Sequence, residues 1–141
     1  MKRLTMLVLT AFTVAGRVAQ AAETGPLAPT LQGKAVVAQI HADWCPVCKA
    51  ERPTIDAVRA KYGKNITYVA FDVTNGKTAN AAADQAKHLG LSSFFNENKS
   101  RTGTIAIINP KTAIISAKLY NETDEAEYDK AIDAVNKQLS N

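Results

Sequence analysis

Cys45 and Cys48 are the only cysteines in this chain of 141 residues, and they stand in the run Trp44-Cys45-Pro46-Val47-Cys48-Lys49. Two thiols spaced C-x-x-C, with no further cysteine to pair with, read first as a redox couple. An apolar run, Ala35 to Ile40, precedes them and a long segment of helical periodicity follows. That order delivers both thiols to a helix start, where free N–H groups and the positive end of the macrodipole favour thiolate over thiol. The thiolate is the species that attacks a disulfide. With Cys45 at the N-cap, Pro46 takes the first helical position, where its fixed φ and missing N–H do least harm. Cys48 then lies one turn on, on the same face and within reach of Cys45 for a disulfide. Lys49 and Asp43 bring opposite charges nearby, so the sign of their combined effect on the thiols is open.

Other uses of the pair are weaker. A purely structural bridge between residues three apart closes too short a loop to remove much chain entropy. A metal-binding or metal-transfer module is the alternative, because paired thiolates suit copper(I), zinc or an iron–sulfur cluster. A closed tetrahedral zinc site needs four ligands. Beyond the cysteines this chain offers only His41 and His88, so such a site would be completed across a dimer or by an added thiol. A third reading, an interaction module with vestigial redox chemistry, sits poorly with an intact cysteine pair.

The elements that must position the pair follow from periodicity. Residues 22–34 hold two prolines and two glycines without a period and read as a lead-in, with room for a short edge strand. Ala35–His41 is a β-rich run of the kind buried on both faces of a sheet. A helix from Pro46 to Tyr62 carries Ile55, Val58 and Tyr62 at helical spacing, with Pro53 inside it as a kink. Ile66–Val73 is the next strand, Lys77–Leu89 an alanine-rich helix closed by Gly90, and residues 91–101 a loop or short helical turn. In that loop one of Phe94 and Phe95 is expected in the core, leaving the other for a partner surface. Thr104–Ile108 and Ala113–Leu119 form an antiparallel hairpin across Asn109-Pro110. Asp124–Leu139 is the last helix. The order β α β α β β α is that of an α/β domain with a mixed sheet.

The run from His41 to Lys49, with Pro53 five residues beyond the second cysteine, resembles the active-site strand, loop and kinked helix of the thioredoxin superfamily. The resemblance implies a thioredoxin-like fold over residues 35–141: a mixed parallel and antiparallel sheet of four to five strands covered by helices on both faces. It implies that Cys45 is the nucleophile and Cys48 the resolving thiol of a thiol–disulfide oxidoreductase. Trp44, Pro46, Val47 and Lys49 then frame the site, and the Cys45–Cys48 disulfide is its only cofactor. Protein thiols and disulfides are the implied substrates, reduction the favoured direction, a membrane electron donor a conceivable partner and a monomer the expected state. Two departures stand out. Thr102-Gly103 occupies the place where the family carries a cis-proline. A cis bond before a non-proline residue costs about 2.5–4 kcal/mol, so a trans bond is expected, with glycine opening space beside the sulfurs. Gln39 replaces the family's buried acid, so resolution of the mixed disulfide is expected to use water or a solvent-side group.

The first 21 residues read as a secretory signal peptide. Lys2 and Arg3 precede an apolar stretch from Leu4 to Val14, and Ala19-Gln20-Ala21 is an A-x-A cleavage site. That stretch is too short to span a bilayer, which needs about 20 residues. A periplasmic or secreted location, where a disulfide persists, is the expectation. Losing Lys2, Arg3 and Arg17 lowers the basic count from 17 to 14 against 13 acids, so the mature chain is nearly neutral. No basic stripe with interleaved aromatics remains, which removes the electrostatic case for nucleic acid. A 46% hydrophobic composition suffices for one buried core.

Overall fold

The computed structural model describes residues 26–141. The expected signal peptide and residues 22–25 of the lead-in lie outside the described residues. From Pro26 onward the lead-in is a short 3-10 turn, Pro29–Leu31, and not an edge strand. Its Leu27 and Leu31 are buried in the core, which ties the segment to the domain. The elements that follow are β1 (Ala35–His41), α1 (Pro46–Tyr62), β2 (Ile66–Asp72), α2 (Gly76–Leu89), α3 (Ser92–Asn98), β3 (Ile105–Asn109), β4 (Ile114–Leu119) and α4 (Glu125–Leu139).

The four strands form one sheet in the order β2-β1-β3-β4. β1 pairs parallel with β2, and β3 runs antiparallel to both β1 and β4. β1 is therefore interior, with helices on both of its faces, which is why its first six residues are all buried. Its side chains alternate between two layers. Val36, Ala38 and Ile40 meet Ala82 and Ala86 of α2 and the aromatic rings of α3, while Ala35 and Val37 meet Ile55 and Val58 of α1 and Ile132 and Val135 of α4. By the same alternation Gln39 and His41 belong to the α1/α4 layer.

Caps fix where the helices begin and end. Asn75 accepts from Lys77 N–H and Thr78 N–H at the start of α2 while the Thr78 hydroxyl accepts from Asn75 N–H, a complete capping box. Gly90 ends α2 with φ of 77°, a left-handed conformation that glycine adopts without strain. Asp124 caps α4 by accepting from Ala126 N–H, so that helix begins one residue later than its sequence pattern alone indicates. α3 is a full helix where the sequence admits only a loop or a turn. Both Phe94 and Phe95 are buried there, their rings 6.3 and 5.6 Å from that of Phe71, which corrects the expectation that one of them faces a partner. Among the described residues no helix is long and apolar enough to cross a membrane.

Candidate active site

The chain leaves β1 at His41 and turns through Ala42 to Trp44. The turn is held by Asp43 N–H on Thr74 Oγ1 (3.0 Å) and by the Trp44 indole N–H on the Thr74 carbonyl (2.9 Å). Anchored at its nitrogen, Trp44 still leaves 59% of its surface exposed beside the cysteines. Cys45 is the N-cap of α1, with Pro46 in the first turn as the sequence requires. Its Sγ accepts the Cys48 N–H at 3.0 Å, so the helix terminus donates directly to this sulfur. Such a donor stabilises the anionic form, and Cys45 is the better placed of the two to be a thiolate or to leave as one. The two cysteines are joined as a disulfide with Cα atoms 5.3 Å apart, and both are buried. Cys48 Sγ lies 3.9 Å from the Ile40 carbonyl oxygen.

The loop opposite the cysteines is tied to β1. Gly103 N–H donates to the Ile40 carbonyl (2.8 Å) and Ile40 N–H to the Thr104 carbonyl (2.9 Å). The Thr102–Gly103 bond is trans, since no cis bond occurs among the described residues. Gly103 has φ of +94°, a conformation that disfavours any side chain. The expectation that glycine opens space beside the sulfurs is corrected. A Cβ at this position would overlap Val47 Cγ1 and come within 3.0 Å of Val47 Cβ and 3.4 Å of Glu51 Oε2. Val47 has filled the place that glycine vacates.

Glu51 is the residue that sequence reasoning missed. It lies one turn beyond Cys48 on the buried face of α1 and is 0% exposed. Its Oε1 accepts the Glu122 N–H at 3.2 Å, while Oε2, which faces Gly103, has no hydrogen-bond partner. Burial pushes its carboxyl up to about 7, against the pull of the Glu122 and Asn121 backbone N–H groups and the neighbouring Gln39 amide. A buried acid is thus present, supplied by the helix instead of the strand. The signal was legible as an acid on the stripe Cys48, Ile55, Val58, Tyr62.

Gln39 is 3% exposed and accepts a hydrogen bond from the Tyr68 hydroxyl. Burial pushes the Tyr68 phenol up to about 12, so this pair is neutral over the ordinary pH range. His41 is partly exposed, with Nε2 3.3 Å from Asp43 Oδ1. Pro46 and Lys49 are exposed at the rim and Thr102 is half-buried, while His88 is exposed in the last turn of α2 and plays no part in this arrangement. Trp44 and Thr102 border a groove of about 530 Å³ that continues over Ala79, Ala83 and Phe95 to Lys99. Among the described residues no group of three or more His, Cys, Asp or Glu side chains is placed to hold a metal ion.

Residues 28–117 match the Thioredoxin family model. The chain belongs to the thioredoxin family. It is 33% identical over 60 residues to a thiol:disulfide interchange protein TxlA homolog of Synechocystis, an alignment covering 42% of this chain and 33% of that relative. The chain therefore spans about a third of the length of the curated relative it matches. The fold agrees with that of a thiol:disulfide interchange protein of the thioredoxin family from Chlorobium tepidum (TM-score 0.54, 19% identity, 83% of this chain and 99% of that one). It agrees equally with MTB DsbF, solved in mixed oxidised and reduced forms (TM-score 0.54, 16% identity, 82% and 98%). Membership of the thioredoxin family accounts for the mixed sheet, for the helix-capping cysteine and for a redox centre made of the chain's own two thiols.

Proposed function

We propose that this thioredoxin-family protein exchanges its Cys45–Cys48 pair with disulfides of protein substrates, in the reductive direction and after export. The observation that carries the reading is the Cys48 N–H directed at Cys45 Sγ at the start of α1. In the reduced protein the Cys45 thiolate attacks one substrate sulfur and expels the other as a thiolate, leaving a mixed disulfide. Cys48 then attacks Cys45 Sγ, releases the second substrate thiolate and closes the disulfide. In this reading the substrate chain follows the groove from Trp44 to Lys99, which brings it to the residue that precedes Cys45.

Cys48 must lose a proton before it attacks, and Glu51 is the acceptor this chain provides. Residues three apart on a helix have Cβ atoms about 5–6 Å apart. A carboxyl held near 7 is divided between its two forms at neutral pH, the condition for effective proton exchange. Export rests on the charge, apolar and A-x-A pattern of residues 1–21 and is checked by the amino-terminal sequence of protein recovered from the periplasm or medium.

The deciding assay is reduction of insulin disulfides by the protein under a thiol reductant. Full activity in Cys45→Ser would end this reading. Cys48→Ser should accumulate a mixed disulfide through Cys45. A reduction potential near about −270 mV supports the reductive direction, and one near about −120 mV reverses it.

A further inference from the structure

Behind the redox pair, on the β2 side of α1, a second opening reaches Cys48. It is a cleft of about 120 Å³ whose floor is Cys48, Gln39, His41 and Tyr68 and whose mouth carries the exposed Arg52, Asp56 and Arg59. Cys48 is only 2% exposed, so its contact with the outside through this opening is narrow. A single water needs on the order of 15 Å³. The cleft thus holds several waters or one small organic thiol, and no polypeptide strand.

Its chemistry is selective. The mouth carries two guanidinium groups against one carboxylate. Asp56 lies 3.8 Å from Arg59, whose guanidinium also stacks 4.6 Å from the centre of the Tyr68 ring, while Arg52 forms no ion pair among the described residues. The Gln39–Tyr68 pair on the floor is neutral and adds no negative charge. An anion meets net attraction at the mouth and a cation meets the reverse. Behind the floor the Glu51 carboxyl, next to Gln39, opposes an anion only when it is ionised, so the selectivity lies in the two guanidinium groups.

We infer that this cleft binds small anionic thiols and disulfides, of the mercaptocarboxylate class, and admits them to Cys48 without passing Cys45. A thiolate RS⁻ entering there attacks Cys48 Sγ of the Cys45–Cys48 disulfide. The S–S bond breaks, Cys48–S–SR forms, and Cys45 leaves as the thiolate that the Cys48 N–H already faces. A second RS⁻ attacks the RS sulfur of that adduct, releasing RSSR and the Cys48 thiolate. Two small thiolates are oxidised and one protein disulfide is reduced. Cys45 and the Trp44 groove thus serve protein substrates, and Cys48 and the rear cleft serve small ones.

This inference rests on the pair being redox-active, and it is tested apart from that reading in a protein whose sole thiol is Cys48. Cys45→Ser keeps a good helix cap, and Cys45→Ala is a second background should the serine variant misfold. Thiolation is followed by mass with two small symmetric disulfides of opposite charge, dithiodipropionate and cystamine. Folded Cys48 should react faster with dithiodipropionate, on the order of tenfold at low ionic strength. Arg52→Gln with Arg59→Gln should remove the preference, and Cys48→Ser, which leaves only Cys45, should lack it. Equal rates, faster reaction with cystamine, or a folded Cys48 that neither reagent modifies while the unfolded chain reacts would each overturn the inference. Insulin reduction by the wild-type protein stands or falls separately.

Discussion

Replacing Glu51 by Gln should make the protein more stable at pH 8 and leave its stability nearly unchanged at pH 4. The carboxyl has an ordinary value of 4.5 and is pushed up to about 7 in the fold. Below 4.5 it is protonated in both folded and unfolded chains and contributes no pH dependence. Between 4.5 and about 7 the folded state holds the proton and the unfolded state has lost it, so stability falls as pH rises. Above about 7 both states are ionised and the loss is complete. Each unit corresponds to 1.36 kcal/mol, so the wild type loses about 3 kcal/mol across this window through this one group. Glutamine imitates the neutral carboxyl: it keeps an oxygen for the Glu122 N–H and carries no charge to bury.

The assay is urea unfolding of the oxidised protein and of Glu51→Gln at half-unit steps from pH 4 to pH 8.5. Taking the difference between the two curves cancels the other carboxylates, which titrate alike in both. The difference should be small at pH 4, should rise in favour of glutamine through pH 5–7 and should level off at about 3 kcal/mol. A flat difference, or one that falls with pH, would refute the argument that a buried, uncompensated carboxyl sits here. In the reduced protein the same substitution should slow release of the mixed disulfide, with formation of that disulfide little changed.

Gly103→Ala should destabilise by about 1–3 kcal/mol, because its methyl overlaps Val47 and its φ of +94° is strained for alanine. Thermal unfolding of Gly103→Ala with Val47→Ala should recover the overlap part of that loss and leave the backbone part. Removing the α4 cap with Asp124→Ala, which frees the Ala126 N–H, should cost about 1 kcal/mol in urea unfolding without changing insulin reduction. Trp44→Ala should weaken protein substrates more than small disulfides, read as a rise in KM for insulin, since the indole borders the groove and is held there by Thr74.

Most of the scaffold was legible because its signals are local. β1 ends where the buried run ends, α1 begins at its cap and proline, and Gly90 closes α2. α3 was not legible: Ser92, Ser93, Asn96 and Asn98 are weak helix formers, and what makes the segment helical is burial of Phe94 and Phe95 against Phe71. The cysteine pair was legible from spacing. The fate of Gly103 was not, because the side chain that fills its vacancy comes from Val47, more than fifty residues away in sequence. Glu51 falls between these cases. Helical spacing placed it on the buried stripe, but that pattern is ordinarily read from apolar residues, and an acid within it passes as noise until its burial is seen.

The departures from the family belong to one arrangement. With Gln39 on β1 paired to Tyr68, the strand position where the family carries its acid holds no titratable group. The acid arrives from α1 instead, beside a loop that Val47 and a φ of +94° keep free of a side chain. At Gly103 Val47 packs into the space a side chain would take, next to the Glu51 carboxyl. The carboxyl is closed off from water with no cation beside it, and this burial outweighs the pull of its backbone and Gln39 donors and raises its pKa. A thiolate at Cys48 and a carboxylate at Glu51, one helical turn apart in a buried site, oppose each other's charge. In the proposed reaction one proton would therefore be shared between them in the reduced protein. On the proposed mechanism that proton would pass to Glu51 as Cys48 attacks and return when the disulfide is reduced, which would let α1 do from the opposite wall what the strand acid does in the family.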